Sequence, residues 1–194
     1  MRTIKTILVS CLISIASMAI AQIDTDPDGI GIYFDEGATQ IVATVAVGES
    51  VDAYLIATNP SHPGALSLWE AGVVPRGPAI VVGGPVGGFD MSTHMPGNPS
   101  YAFAVAMNSP YPTLQAITIL ATLGISVYDE GSIGLHVYGG TFDLPNYRVD
   151  DFYGTDHFLH PSSGSSDLPV AMINGPRPVS SEQTSWGGVK SLFR

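Results

Sequence analysis

Asp24-Thr25-Asp26-Pro27-Asp28-Gly29 sets three carboxylates on alternate residues ahead of a glycine. Short acids at that spacing point inward together on a tight turn, which is how a loop wraps a hard cation such as calcium. An EF-hand loop counted from Asp24 reaches Ile32 at its ninth position and Asp35 at its twelfth. Isoleucine offers no oxygen, and aspartate is shorter than the usual glutamate. Pro27 stiffens the loop, and the chain beyond it reads as a strand where an EF-hand begins a helix. Two readings remain: a looser calcium site built by Asp24, Asp26 and Asp28, or a solvated turn ahead of the first strand. Calcium is the cofactor this loop suggests, and Asp156 with His157 and His160 is a second candidate, for a transition metal, if the two histidines stand on a turn or helix.

Asp150, Asp151, Asp156, His157 and His160 form a second cluster, inside a stretch (139–167) that mixes aromatics, acids and histidines without a period. If these side chains converged in one pocket they could serve a secreted hydrolase with its site in residues 139–160. No glutamate base lies between the histidines in the metalloprotease pattern. Residues 82–88 are rich in glycine, but they lack a P-loop lysine and the dinucleotide spacing, so they read as a hairpin or loop. No spacing fixes a nucleophile and its base, and no catalytic residue is assigned. His136 reads as a sheet-surface residue between Leu135 and Val137. Tyr54, Trp69, Tyr101, Tyr111, Tyr138, Tyr147, Phe152, Tyr153 and Trp186 could make a stacking platform for a glycan. Filling the core or its rim is the commoner use of such residues.

The elements that must carry these groups are strands. Glycine (22) and proline (15) are frequent, and charged residues are only 12% of the chain, which fits an all-β protein with many turns. Short apolar runs at 30–34, 40–47, 51–58, 65–74, 79–82, 101–107, 114–128, 133–138 and 168–173 are separated by proline, glycine, asparagine and aspartate. About nine short strands in one domain predict two packed antiparallel sheets, an immunoglobulin-like β-sandwich. The run 114–128 is apolar on both parities and reads as a central strand covered on both faces for part of its length, with Gly124 marking a bend or bulge. Pro78 and Pro85 read as guards of open sheet edges. Near the C-terminus, Trp186, Val189 and Phe193 stand at helical spacing, a short helix or tail that needs docking to form.

The first 21 residues carry Arg2 and Lys5, then a mostly apolar run, then Ala19-Ile20-Ala21, the layout of a secretory signal peptide. The apolar run is short for a bilayer span of ~20 residues. Cleavage there would remove Cys11 and leave 17 acids against 5 bases, a net charge of −12. Such a field repels nucleic acid and anionic lipid. The expected organisation is a signal peptide (1–21), a β-sandwich domain (22–175) and a C-terminal linker with a short docked segment (176–194).

The stretch Asp26-Pro27-Asp28-Gly29-Ile30-Gly31-Ile32-Tyr33-Phe34-Asp35 resembles one found in uncharacterised secreted proteins of environmental bacteria. So do the strand Tyr54 to Pro60, the tryptophan strand Leu68-Trp69-Glu70 and the ending Ser185 to Arg194. The expected sandwich is also similar to cohesin-like modules. The resemblance implies a fold and no activity. The chain therefore reads as a secreted, non-enzymatic binding or structural module of the cell exterior, its partner a glycan or another extracellular protein. The alternative is the hydrolase.

Overall fold

The computed structural model describes residues 26–62, 64–92, 101–109, 112–140, 144–150 and 153–178. The nine expected strands are all present, as β1 (Gly29–Tyr33), β2 (Val42–Ala43), β3 (Ser50–Thr58), β4 (Leu66–Arg76), β5 (Ala79–Pro85), β7 (Tyr101–Ala106), β8 (Ile117–Val127), β9 (Ile133–Tyr138) and β13 (Ala171–Ile173). Four short strands join them: β6 (Phe89–Asp90), β10 (Asn146–Val149), β11 (His157–Phe158) and β12 (His160–Pro161). Two layers result. A five-stranded sheet runs in the order β12-β1-β3-β8-β5. The larger sheet runs β11-β10-β4-β9-β13-β2, with β7 pairing β4 and β6 pairing β7.

Period-2 patterning explains the packing. On β4, Trp69, Ala71 and Val73 point inward, as do Phe103 and Val105 on β7 and Ile133, Leu135 and Val137 on β9. They meet Ile30, Ile32, Ala53, Leu55, Leu123 and Ile125 of the smaller sheet in one core. β8 lies between β3 and β5, as its two-sided apolar pattern predicts. Its pairing with β3 shifts between Leu55 and Ile56, leaving Leu120 opposite no partner. The bulge therefore sits at Leu120, and Gly124 stays in regular register with Asp52 and Val82. Beyond it, Ile117 and Ile119 pack with Tyr33, Ala38 and Ile56 in a second cluster on the outer side of the same sheet.

Two further expectations are corrected. Gly83 and Gly84 belong to β5, and the turn that follows is made by Gly87 and Gly88, both at φ 74°. A Cβ on Gly88 would lie 2.6 Å from the Ala106 carbonyl oxygen, so this turn needs glycine for both conformation and space. His136 is buried rather than on the sheet surface. Its Nδ1 lies 3.1 Å from the Ser166 carbonyl oxygen, and burial holds the ring below its ordinary pKa despite that bond. Among the described residues there is no helix. The tail from 179 onward, including Trp186, Val189 and Phe193, lies outside them, as do residues 1–25.

Candidate functional site

Asp28 closes the turn before β1 at φ 58°, a left-handed conformation that aspartate tolerates better than most residues. Its carboxylate faces the loop between β3 and β4. Oδ1 accepts from the Ser61 amide (2.8 Å) and the Tyr147 hydroxyl (2.7 Å), and Oδ2 accepts from the Ser61 hydroxyl. The Tyr147 oxygen in turn accepts from the His62 amide at 3.3 Å. Ser61 Oγ lies 2.9 Å from His62 Nδ1, and the His62 ring stacks on His157 of β11 with centroids 3.6 Å apart and planes 22° from parallel. One carboxylate therefore ties together the entry to β1, the β3–β4 loop and β10.

Burial raises the Asp28 pKa, but the donated bonds from Ser61 and Tyr147 outweigh it and hold the group below the ordinary 3.8. Tyr147 is pushed up to about 12 by burial and by its bond to that carboxylate. Asp35 behaves like Asp28. Against the burial that raises it, bonds from the Thr39 hydroxyl (2.7 Å) and the Thr39 and Gln40 amides (2.9 and 2.6 Å) hold it low. A carboxylate whose folded pKa is depressed stabilises the fold above its unfolded value, and that stability is lost as the pH falls through its folded value. The melting midpoint is therefore expected to drop as the pH falls below about 4. A thermal melt series should show a smaller drop in Asp35→Asn, while an identical acid limb in that variant contradicts the assignment.

Ser61, His62 and Asp28 do not form a nucleophile with its base. The serine hydroxyl donates to the carboxylate, not to the imidazole, and a carboxylate held at low pKa is a weak proton acceptor.

The sequence-proposed calcium residues are placed only in part. Asp26 is exposed, Asp28 serves the bonds above, and Asp24 lies outside the described residues. Donors from Ser61 and Tyr147 occupy three acceptor sites of the Asp28 carboxylate. The second cluster does not converge either. Asp156 receives the Arg148 guanidinium at 2.6 and 3.2 Å, and Asp150 accepts from the Ala65 amide at 2.8 Å. His157 pairs into the larger sheet and His160 into the smaller one, and Asp151 lies outside the described residues. Among the described residues no group of three histidine or acidic side chains is placed to hold a metal ion.

No family model matches the sequence, and no curated protein matches it. Solved structures do. A type II cohesin of Acetivibrio cellulolyticus, from a complex with an X-dockerin, superposes with a TM-score of 0.51 at 11% identity, over 78% of this chain and 98% of that one. The fold is a cohesin-like β-sandwich. The second type II cohesin of the ScaA scaffoldin from the same organism gives 0.49 at 12% identity, covering 81% and 97%. A cohesin of Clostridium acetobutylicum gives 0.48 at 13%, covering 75% and 88%.

The cohesin-like sandwich leaves two outer faces. On the smaller sheet, Asp52, Tyr54, Val82, Gly84, Thr122 and Gly124 line an open depression of 490 Å³ with a single carboxylate. On the larger sheet, Ala102, Ala104 and Ala106 of β7 point outward and half-buried, in register with Gly72, Glu70 and Leu68 of β4. Phe89 pairs with Ala106 at one side and is 68% exposed, with Met91 next to it at 46%. Phe158 stands across the same face, opposite Asn146, at 45%. Sequence reasoning did not single out this alanine stripe. Alternation marked the outward positions, but Phe89 sits in a two-residue strand with no period of its own.

Proposed function

We propose that this chain is an exported, non-enzymatic protein-binding module, and that it docks its partner on the outer face of the larger sheet. The alanine stripe of β7 between the exposed Phe89, Met91 and Phe158 carries this reading. The stripe itself is apolar and built of small side chains, which lets another backbone or side chain approach it closely, and Glu70 borders it on β4. Of the aromatic residues that could make a stacking platform, Trp69 is wholly buried and unable to stack on a sugar. The likeness to a cohesin solved with an X-dockerin agrees with a protein partner. The layout of residues 1–21 supports export, and the acidic balance argues against nucleic acid. The reading draws on no cofactor. The hydrolase alternative has less to stand on, since Asp150 and Asp156 are engaged in structural bonds.

The test is capture of partners from the extracellular material of the source cells by the purified chain, in parallel with Ala104→Arg. The new guanidinium would sit beside Glu70, its register partner, and so leave folding intact. At least a tenfold loss of the captured partner is expected, about 1.4 kcal/mol of binding or more, with a melting midpoint within a few degrees of the parent. Undiminished capture by Ala104→Arg refutes the face.

A further inference from the structure

Residues His157–Pro161 cross between the two sheets. β11 pairs antiparallel with β10 in the larger sheet, through His157 opposite Tyr147 and Phe158 opposite Asn146. Only one residue later β12 pairs parallel with β1 in the smaller sheet, through His160 opposite Gly29 and Pro161 opposite Ile30. Leu159, between the two strands, is buried in the core at 1% exposure. The backbone seals both ends of the crossing. The Leu159 amide donates to the Pro145 carbonyl (2.8 Å), the His160 amide to that of Asp28 (2.7 Å), and the Ser162 amide to that of Ile30 (2.8 Å). The stack of His157 on His62 holds this segment against the β3–β4 loop.

We propose that His157–Pro161 is an acid-opened clasp, in which protonation of the stacked His62–His157 pair parts the segment from the β3–β4 loop and frees the edges of β1 and β10. The groups facing the pair come from four elements: Asp28 from the turn before β1, Ser61 from the β3–β4 loop, Tyr147 from β10, and Asp156 beside β11. Arg148 already pairs with Asp156. The nearby carboxylates Asp28 and Asp156 accommodate one proton on the two rings. A second would set two imidazolium rings face to face at 3.6 Å.

Burial and then the charge of His62 hold His157 below its ordinary 6.5, against the opposite pull of Asp28 and Asp156. An unfolded or opened segment therefore binds the proton more readily than the closed one. Closure is fully stable above 6.5 and weakens as the pH falls through the folded value. The clasp opens locally, since its two pairings are each two residues long while β3 and β8 pair along their whole length.

Amide hydrogen exchange on the full chain, read by mass spectrometry at about pH 7.5 and about pH 5 and corrected for intrinsic exchange, tests this. At the lower pH the Leu159, His160 and Ser162 amides are expected to gain about tenfold in rate relative to those of β3 and β8. His157→Phe keeps a stacked ring without the proton and is expected to abolish the gain. His62→Phe, on the exposed side of the pair, should do the same. His136→Gln removes the other histidine held at low pKa and should leave the gain intact. No acceleration in the parent, or acceleration that survives both phenylalanine variants or vanishes with His136→Gln, overturns the clasp.

Discussion

Asp28→Ala is expected to lower the stability of the domain by about 2–4 kcal/mol, measured by urea unfolding near neutral pH. Three contributions add in the same direction. The change strips a charged acceptor from the Ser61 amide and hydroxyl and from Tyr147, and bonds to charged groups are the stronger kind. It leaves the Tyr147 hydroxyl, on a side chain 2% exposed, without its acceptor. It also places alanine at φ 58°, which costs about 1 kcal/mol. Asp28→Gly separates them by removing the backbone cost alone, so it should recover about 1 kcal/mol of the loss. Asp28→Asn keeps the conformation and one acceptor oxygen and should fall between the parent and glycine. A loss under about 0.5 kcal/mol in Asp28→Ala would show that the carboxylate organises nothing.

Trp69→Ala should cost more, about 3–5 kcal/mol, the usual range for removing a large aromatic side chain from a core. Trp69 is wholly buried on β4, between Tyr147 on β10 and Val105 on β7, with its ring 5.2 Å from that of Phe103. Its Nε1 is buried without a hydrogen-bond partner among the described residues, an unpaired donor that subtracts from the native stability. Trp69→Phe removes that donor together with part of the volume. It should therefore cost well under half of what alanine does, in the same denaturant titration. Equal losses for phenylalanine and alanine would mean that the indole nitrogen finds a partner after all.

The strands were legible because each long run carries its own period. β3, β4 and β9, of 6 to 11 residues, carry enough alternation to declare which side chains face the core, and β8 shows its central place by being apolar on both parities. β10, β11 and β12 did not show, because pieces of two to four residues have no period to read. They form through their neighbours, above all through Leu159 entering the core. Gly83, Gly84 and Gly124 misled for a related reason. Glycine is punctuation in a sequence, but in an edge or central strand it is simply a place where the sheet face is left low. The Asp28 hub was out of reach for a different reason. Asp28 and Tyr147 stand 119 positions apart, and the aspartate presents itself first as one of three acids on a turn. A carboxylate beside two others suggests a cation, and only the folded chain shows that its partners are donors.

β13 runs alongside β2 in the same direction, and the pair is reinforced beyond its two-residue ladder. Asn174 exchanges two side-chain bonds with the Val45 backbone, at 2.9 and 2.7 Å. Its own amide donates to Ala43 at 2.9 Å, and the Met172 amide to Ile41 at 2.9 Å. Tension applied to the first and last portions of the body would slide these segments past each other. The bonds would then carry the load side by side and have to break together, unlike a hairpin that unzips one rung at a time.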